Sequence, residues 1–183
     1  MNLKKLNLGC GTDIKQGWIN LDSAQIPGID IVHDIEKLPL PFQNEEFNEI
    51  LAQDILEHVE YIPVLKDLHR ILKKSGTLTI RVPHFTSKNN YIDPTHKKRF
   101  SVNTLDFFVS NTKLGKKREY YFDFMFSEIK KRRITFERSS RVFFYNSLVE
   151  PIVNHSLKTQ QFYESSSLSR LFPAENIEIT LRK

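Results

Sequence analysis

A single cysteine, Cys10, stands in 183 residues. One cysteine excludes an internal disulfide and fits a reducing compartment, so the expected location is cytoplasmic. No apolar run approaches the 18 or so residues of a membrane span. The opening Met-Asn-Leu-Lys-Lys-Leu has neither an apolar stretch nor a small-residue cleavage site, so no signal peptide is expected. Internal repeats and low-complexity tracts are missing too. At this length the simplest expectation is one domain, residues 1–183, with a single core.

What is present is unevenly charged. Residues 1–96 carry 10 Lys/Arg and 13 Asp/Glu, whereas residues 97–183 carry 17 and 9. The second half is therefore expected to meet something anionic, unless its lysines are ordinary solvated surface.

The chain is organised around Leu6-Asn7-Leu8-Gly9-Cys10-Gly11, with Trp18-Ile19-Asn20-Leu21-Asp22 just beyond. Apolar alternation running into two glycines predicts a strand and a tight turn where backbone approaches a ligand. A second strand ending on Asp22 puts a carboxylate where it can accept hydrogen bonds from ribose hydroxyls. Between Gly11 and Ile19 there is room for little more than one helical turn, so a shortened first crossover helix is expected. Further strands are predicted around Ile29–Val32, over 47–52, and over 77–82, stopped by Pro83. Leu38–Phe42 reads as an extended apolar connection. Between the last two of these strands, Val64, Leu65, Leu68, Ile71 and Leu72 make one helical face, with Pro63 in the first turn, Lys73 and Lys74 at the negative end and Gly76 as cap.

Beyond Pro83 a polar loop leads to a short helix over 102–109. Tyr120–Phe126 and Ile129–Phe136 read as strands, the second interrupted by Lys130-Lys131-Arg132-Arg133. A helix within 146–169, broken or begun at Pro151, is expected to carry Leu148, Ile152, Val153 and Leu157, and Ile177–Leu181 reads as a terminal strand.

Taken together, Leu6–Gly11, Gly17–Asp22, Leu38–Phe42, Leu56-Glu57-His58 and Leu72–Thr77 resemble the segments of small class I S-adenosylmethionine-dependent methyltransferases. The resemblance covers roughly the first half of the chain. It implies an α/β, Rossmann-like sheet, mostly parallel with an antiparallel C-terminal strand, and S-adenosyl-L-methionine as cofactor. On it, residues 1–83 form the cofactor-binding half, and residues 84–183 the basic, aromatic, substrate-facing half. Gly9, Cys10 and Gly11 would wrap the cofactor, and Asp22 would hold its ribose. Asp34 and Ile35 would meet the adenine, and Gln53 and Asp54 would line the methionine end. Asn7 replaces an acid common in the first strand of such enzymes. The third glycine of a dinucleotide fingerprint is absent, because position 14 is Ile14.

Methyl transfer needs alignment, and a base only if the acceptor must lose a proton. His84, Asp93 and His96, just past the fifth strand, are the candidate catalytic residues: an imidazole to take the proton and a carboxylate to orient it. His and Asp also suit zinc or iron, but no further imidazole stands at a diagnostic spacing, so no metal is expected. Glu57-His58 reads as a structural pair at a helix start. The expected acceptor is a small molecule or saccharide-type compound, anionic, such as a glycan precursor, methylated on oxygen or nitrogen. RNA or protein methylation, permitted by cations interleaved with aromatics over 113–145, remains the alternative, with a non-catalytic cofactor-binding subunit as another. A homodimer is also open.

Overall fold

The computed structural model describes residues 3–139 and 143–183. Its described residues form a seven-stranded sheet in the order β3-β2-β1-β4-β5-β7-β6. The strands are β1 Lys5–Leu8, β2 Ile19–Asp22, β3 Ile31–Val32, β4 Phe47–Gln53, β5 Leu72–Pro83, β6 Glu128–Thr135 and β7 Asn176–Arg182. β7 runs antiparallel between β5 and β6, and the pairs from β3 to β5 are parallel. The expected mostly parallel sheet with an antiparallel last strand is thus present.

Helix α1 (Tyr61–Ile71) buries Val64, Leu65, Leu68 and Ile71 against this sheet. It stops earlier than Lys73–Gly76 suggested. Leu72 is already extended, and the left-handed turn falls on Ser75 at φ 63°, not on Gly76. The turn is tied to the end of β7, where the Ser75 amide donates to the Lys183 carbonyl.

The first crossover holds no helix at all. Side chains alternate along a strand, so Leu6 and Leu8 enter the core while Asn7 faces the other way, beside Asn20 of β2. Asn7 donates to the Asp13 carbonyl (2.8 Å) and to Asn20 Oδ1 (3.1 Å), and the Lys15 amide donates to Asn20 Oδ1 (2.9 Å). Asn20 in turn bonds Asp30. A polar ladder offers nothing for a helix's apolar stripe to bury, but it satisfies the backbone of a close-laid loop.

The second half departs further from expectation. Lys130–Arg133 lies within β6, at an outer edge of the sheet, where the expected strand is present and its ladder is irregular between Ile129 and Lys131. There Arg132 pairs with buried Asp106, Arg133 with Glu150, and Lys131 with Glu178 (3.5 Å). Charged side chains on an edge strand also discourage pairing with another chain. Tyr120–Phe126 is a short 3-10 turn, Glu119–Tyr121, followed by irregular chain, and Phe124 and Phe126 are buried in the core. The stretch 102–109 gives a 3-10 turn, Thr104–Phe108, with Leu105, Phe108 and Val109 inward.

The C-terminal helix is three pieces: α4 Asn146–Val153, α5 Leu157–Ser165 and α6 Leu168–Leu171, numbered after two short helices, α2 Asn89–Ile92 and α3 Lys113–Lys117. Pro151 lies inside α4 and neither breaks nor begins it, and of the four apolar residues expected in the helix Leu148, Ile152 and Leu157 are exposed while Val153 is buried. The reason is Glu150. Its carboxylate accepts from Arg133, Arg138 and the Phe136 amide, which turns α4 so that Glu150 faces β6. Arg141 of the basic cluster lies outside the described residues. No described helix is long and apolar enough to cross a membrane.

Candidate active site

In a parallel sheet the loops leaving the strands' carboxyl ends share one edge, where ligands of open α/β folds bind. Gly9–Gly11 leaves β1 there, Asp22 ends β2, Asp34 follows β3, Gln53 ends β4 and His84 follows β5.

The glycine turn has the backbone its sequence demands. Gly9 is at φ 62°, and a Cβ there would sit 2.5 Å from Ile55, in the loop leaving β4. Gly11 is at φ 49°, and a Cβ there would meet open space. The Gly11 amide donates to Asp22 Oδ2 (2.8 Å), and the Ala24 amide donates to Oδ1 (3.0 Å). The Asp22 carboxylate is therefore turned to the glycine loop, and each oxygen keeps a lone pair for a further donor. Buried Cys10 is fixed by the hydrogen bond that its amide donates to the Leu21 carbonyl (3.1 Å). Asp34 is half-exposed and accepts from the Glu36 amide, while Ile35 is buried in the main core. Open space at Gly11 beside a carboxylate with spare acceptors suits a ribose-bearing cofactor.

Asp54 adopts φ 52° and is clasped by the Arg81 guanidinium, with Nε 3.0 Å from Oδ1. The pair forms one wall of a cleft of about 620 Å³. Glu57, His58, Asp93, His96, Glu175 and Asn176 also line it. Both halves of the chain therefore contribute. Its acids are Asp54, Glu57, Asp93 and Glu175, and Arg81 is its only Lys or Arg, so the lining does not supply the cations that an anionic acceptor would seek.

The three candidate catalytic residues part company. His84 is fully buried. Its Nδ1 accepts from the Thr86 amide (3.1 Å), which leaves the ring proton on Nε2 to donate to Glu164 Oε1 (3.0 Å). A base must reach the proton it removes. Both nitrogens of His84 are spent on the protein, which withdraws it from the role expected of it. Asp93 and His96 do reach the cleft. Asp93 Oδ1 accepts from the Thr95 amide (2.8 Å) and hydroxyl (2.6 Å), and those bonds hold it below the usual carboxylate range. His96 Nε2 lies 3.9 Å from Asp93 Oδ2, and its Nδ1 is buried without a partner. Burial and then the neighbouring His58 lower the His96 pKa.

Glu57 and His58 do not start a helix, for Glu60 is the N-cap of α1. They occupy the loop between β4 and α1. The Glu57 carbonyl accepts from the Lys97 (2.8 Å) and Lys98 (3.0 Å) amides, which clips the loop of His96 onto the loop of Glu57. Glu57 is fully buried, neither of its carboxylate oxygens has a partner, and burial pushes its pKa up to about 8. Glu57 and His58 stand side by side in the sequence, but nothing in their spacing joins them to His96. Arg81, Glu175 and Asn176 carried no signal, since each sits in a strand or its approach.

The comparisons with known proteins bear on the fold. Residues 6–80 match the methyltransferase domain family. The fold is that of a class I methyltransferase. A SAM-dependent methyltransferase from Archaeoglobus fulgidus superposes with a TM-score of 0.62 at 19% identity, covering 99% of this chain and 86% of that one. A second, from Mesorhizobium loti, gives 0.55 at 13% identity, covering 100% and 91%. An uncharacterised protein of Methanocaldococcus jannaschii is 42% identical over 45 residues, which are 25% of this chain and 20% of that relative. Both of these solved structures are described as S-adenosylmethionine-dependent enzymes, and at such identities the likeness is one of fold.

Proposed function

We propose that this protein is an S-adenosylmethionine-dependent methyltransferase acting on a hydroxyl- or amine-bearing small molecule or saccharide-type acceptor. The observation that carries the reading is Asp22, turned onto the Gly11 amide at the carboxyl end of β2 with acceptor capacity to spare. Gly9, Cys10 and Gly11 cradle the cofactor, Asp22 takes the ribose, Asp34 and Ile35 the adenine, and Gln53 and Asp54 the methionine end. When bound, S-adenosyl-L-methionine supplies a methyl on a positively charged sulfur; an acceptor oxygen or nitrogen takes that carbon, gives up a proton, and leaves a neutral thioether.

The chain's own work is alignment and proton handling. His96, at the cleft with Asp93 beside it, receives the acceptor's proton, and Asp93 favours the imidazolium that results. Arg81 holds Asp54 in place. The glycine turn packs on Ile55, which belongs to the same loop as Asp54 and Glu57, so cofactor and acceptor sites share one hinge of backbone. The single cysteine accords with work in the cytoplasm.

A polynucleotide acceptor draws less support. The cations over 131–133 are matched to acids, and Phe126 lies in the core. Calorimetry tests the reading. The chain should bind S-adenosylmethionine and its demethylated product but not NAD, and Asp22→Ala should weaken both by roughly 10- to 100-fold, the loss of hydrogen bonds to a charged acceptor. Release of the demethylated product with candidate sugars would then show turnover. Equal affinity in Asp22→Ala would remove the reading.

A further inference from the structure

Buried polar atoms in folded proteins are nearly always paired, so a cluster of unpaired ones asks what they are for. Both oxygens of the Glu57 carboxylate and His96 Nδ1 are buried and partnerless. His58 joins them, its ring 4.6 Å from that of His96, edge to face. One donor atom from each of Glu57, His58 and His96 lies within 4.8 Å of the others.

Thr95 has one hydroxyl proton and gives it to Asp93 Oδ1, so the 2.8 Å contact between Thr95 Oγ1 and His58 Nδ1 is an N–H donated by the imidazole. That leaves Nε2 with a lone pair. An imidazole whose second nitrogen donates to an oxygen that is itself bonded to a carboxylate is how metal-ligating histidines are oriented. The turn of residues 93–96 thus aims one ligand and carries another.

The geometry points to a binding site for one divalent first-row transition-metal ion, held by Glu57, His58 and His96 in the wall of the acceptor cleft. Two imidazoles with one carboxylate favour zinc, cobalt, iron or manganese over magnesium or calcium. Bonds of 2.0–2.1 Å set tetrahedral donors about 3.3 Å apart, so the three side chains draw in by roughly an ångström on binding. Three protein ligands leave a fourth position for a water or substrate oxygen, as in catalytic rather than structural sites.

The use of that position rests on the methyltransferase reading. An acceptor hydroxyl bound to the ion loses its proton more readily, to water, and its oxygen then forms the new bond to the methyl carbon as the bond to sulfur breaks. The ion also offsets Asp54, Asp93 and Glu175, giving an otherwise acidic cleft the positive charge an anionic acceptor needs. His96 then acts as a ligand, and the ion replaces it as the means of activating the acceptor.

The test uses the full chain, stripped by a chelator and titrated with Co²⁺ under visible absorption, with Zn²⁺ as competitor and S-adenosylmethionine binding followed separately by calorimetry. One Co²⁺ per chain is expected, with d–d bands that Zn²⁺ abolishes. Glu57→Gln, His58→Ala and His96→Ala should lose the bands, and Thr95→Val should weaken Co²⁺ binding by roughly 10- to 100-fold. His155→Ala, on the surface outside the cluster, should leave it unchanged. Should Glu57→Gln not fold, His58→Ala and Thr95→Val, on the accessible side, still decide. Cobalt binding that is absent, or that survives all the cluster variants, overturns the site even if S-adenosylmethionine binds. Cobalt bound through the cluster in a chain that ignores S-adenosylmethionine upholds the site and removes the methyltransferase reading instead.

Discussion

His84 with Glu164 and His96 with Glu57 are both histidine–glutamate groupings near the carboxyl end of β5, and they are satisfied to opposite degrees. Around His84 the Thr86 amide, the Glu164 carboxylate and the Val102 amide close a complete set of hydrogen bonds. Around His96 a nitrogen and two carboxylate oxygens are left over. Burying polar groups is tolerable when they bond one another and costly when they do not. The first grouping is therefore part of what holds the second half of the chain to β5. The second is where stability has been forgone, as is expected of a site that binds something.

That contrast is open to direct attack. The largest effect should come from Glu164→Ala, which strips His84 Nε2 and the Val102 amide of their acceptor at once. We expect a loss of about 3 kcal/mol in urea denaturation. Glu57→Gln, by contrast, should move the stability of the metal-free chain by less than about 1 kcal/mol, because its carboxylate gives up no bond. A comparable loss in both would erase the distinction.

Next is the glycine turn. Gly9→Ala combines a left-handed φ with a Cβ 2.5 Å from Ile55. It should cost on the order of 1–3 kcal/mol of stability and reduce cofactor affinity, read by denaturation and calorimetry. Gly11→Ala meets no neighbour and carries only the left-handed strain, about 1–2 kcal/mol, so any further loss of cofactor affinity reports the space the cofactor needs.

A third measurement uses His69 of α1, half-buried edge-on to Phe126 and facing Lys183. Burial, and then the Lys183 charge, hold its folded pKa below 6.5. In the window under 6.5 the unfolded chain binds the extra proton, so this contribution is complete above that pH and fades as pH falls. Urea midpoints should drop more steeply below pH 6.5 in the parent than in His69→Leu. The smallest effect should be Lys131→Ala, which removes an exposed 3.5 Å pair with Glu178 and should cost under about 1 kcal/mol.

Much of the first half was legible because its signals are local. Alternation gave β1, β2 and β4, the apolar stripe gave α1, and two glycines before a carboxylate-tipped strand gave the cofactor edge. The misplaced elements depended on partners far along the chain. Nothing beside Lys130–Arg133 says that Asp106, Glu150 and Glu178 are waiting to pair with the cations of the expected strand. Nothing near Leu148 says that Glu150 will be the buried face of α4. Nothing in the alternation over 120–126 says that Phe124 and Phe126 will pack beside His69 of α1, some fifty residues earlier, instead of forming a strand.

The amino-acid order alone determined the sheet's parallel half, the bend of Gly9–Gly11 and the acid at Asp22, since strand period and positive φ are properties of neighbouring residues. Only the tertiary structure decided which histidine is sealed and which is open. It also decided that Glu57 and His58 face His96, because the burial of a polar atom depends on what the rest of the chain brings to it.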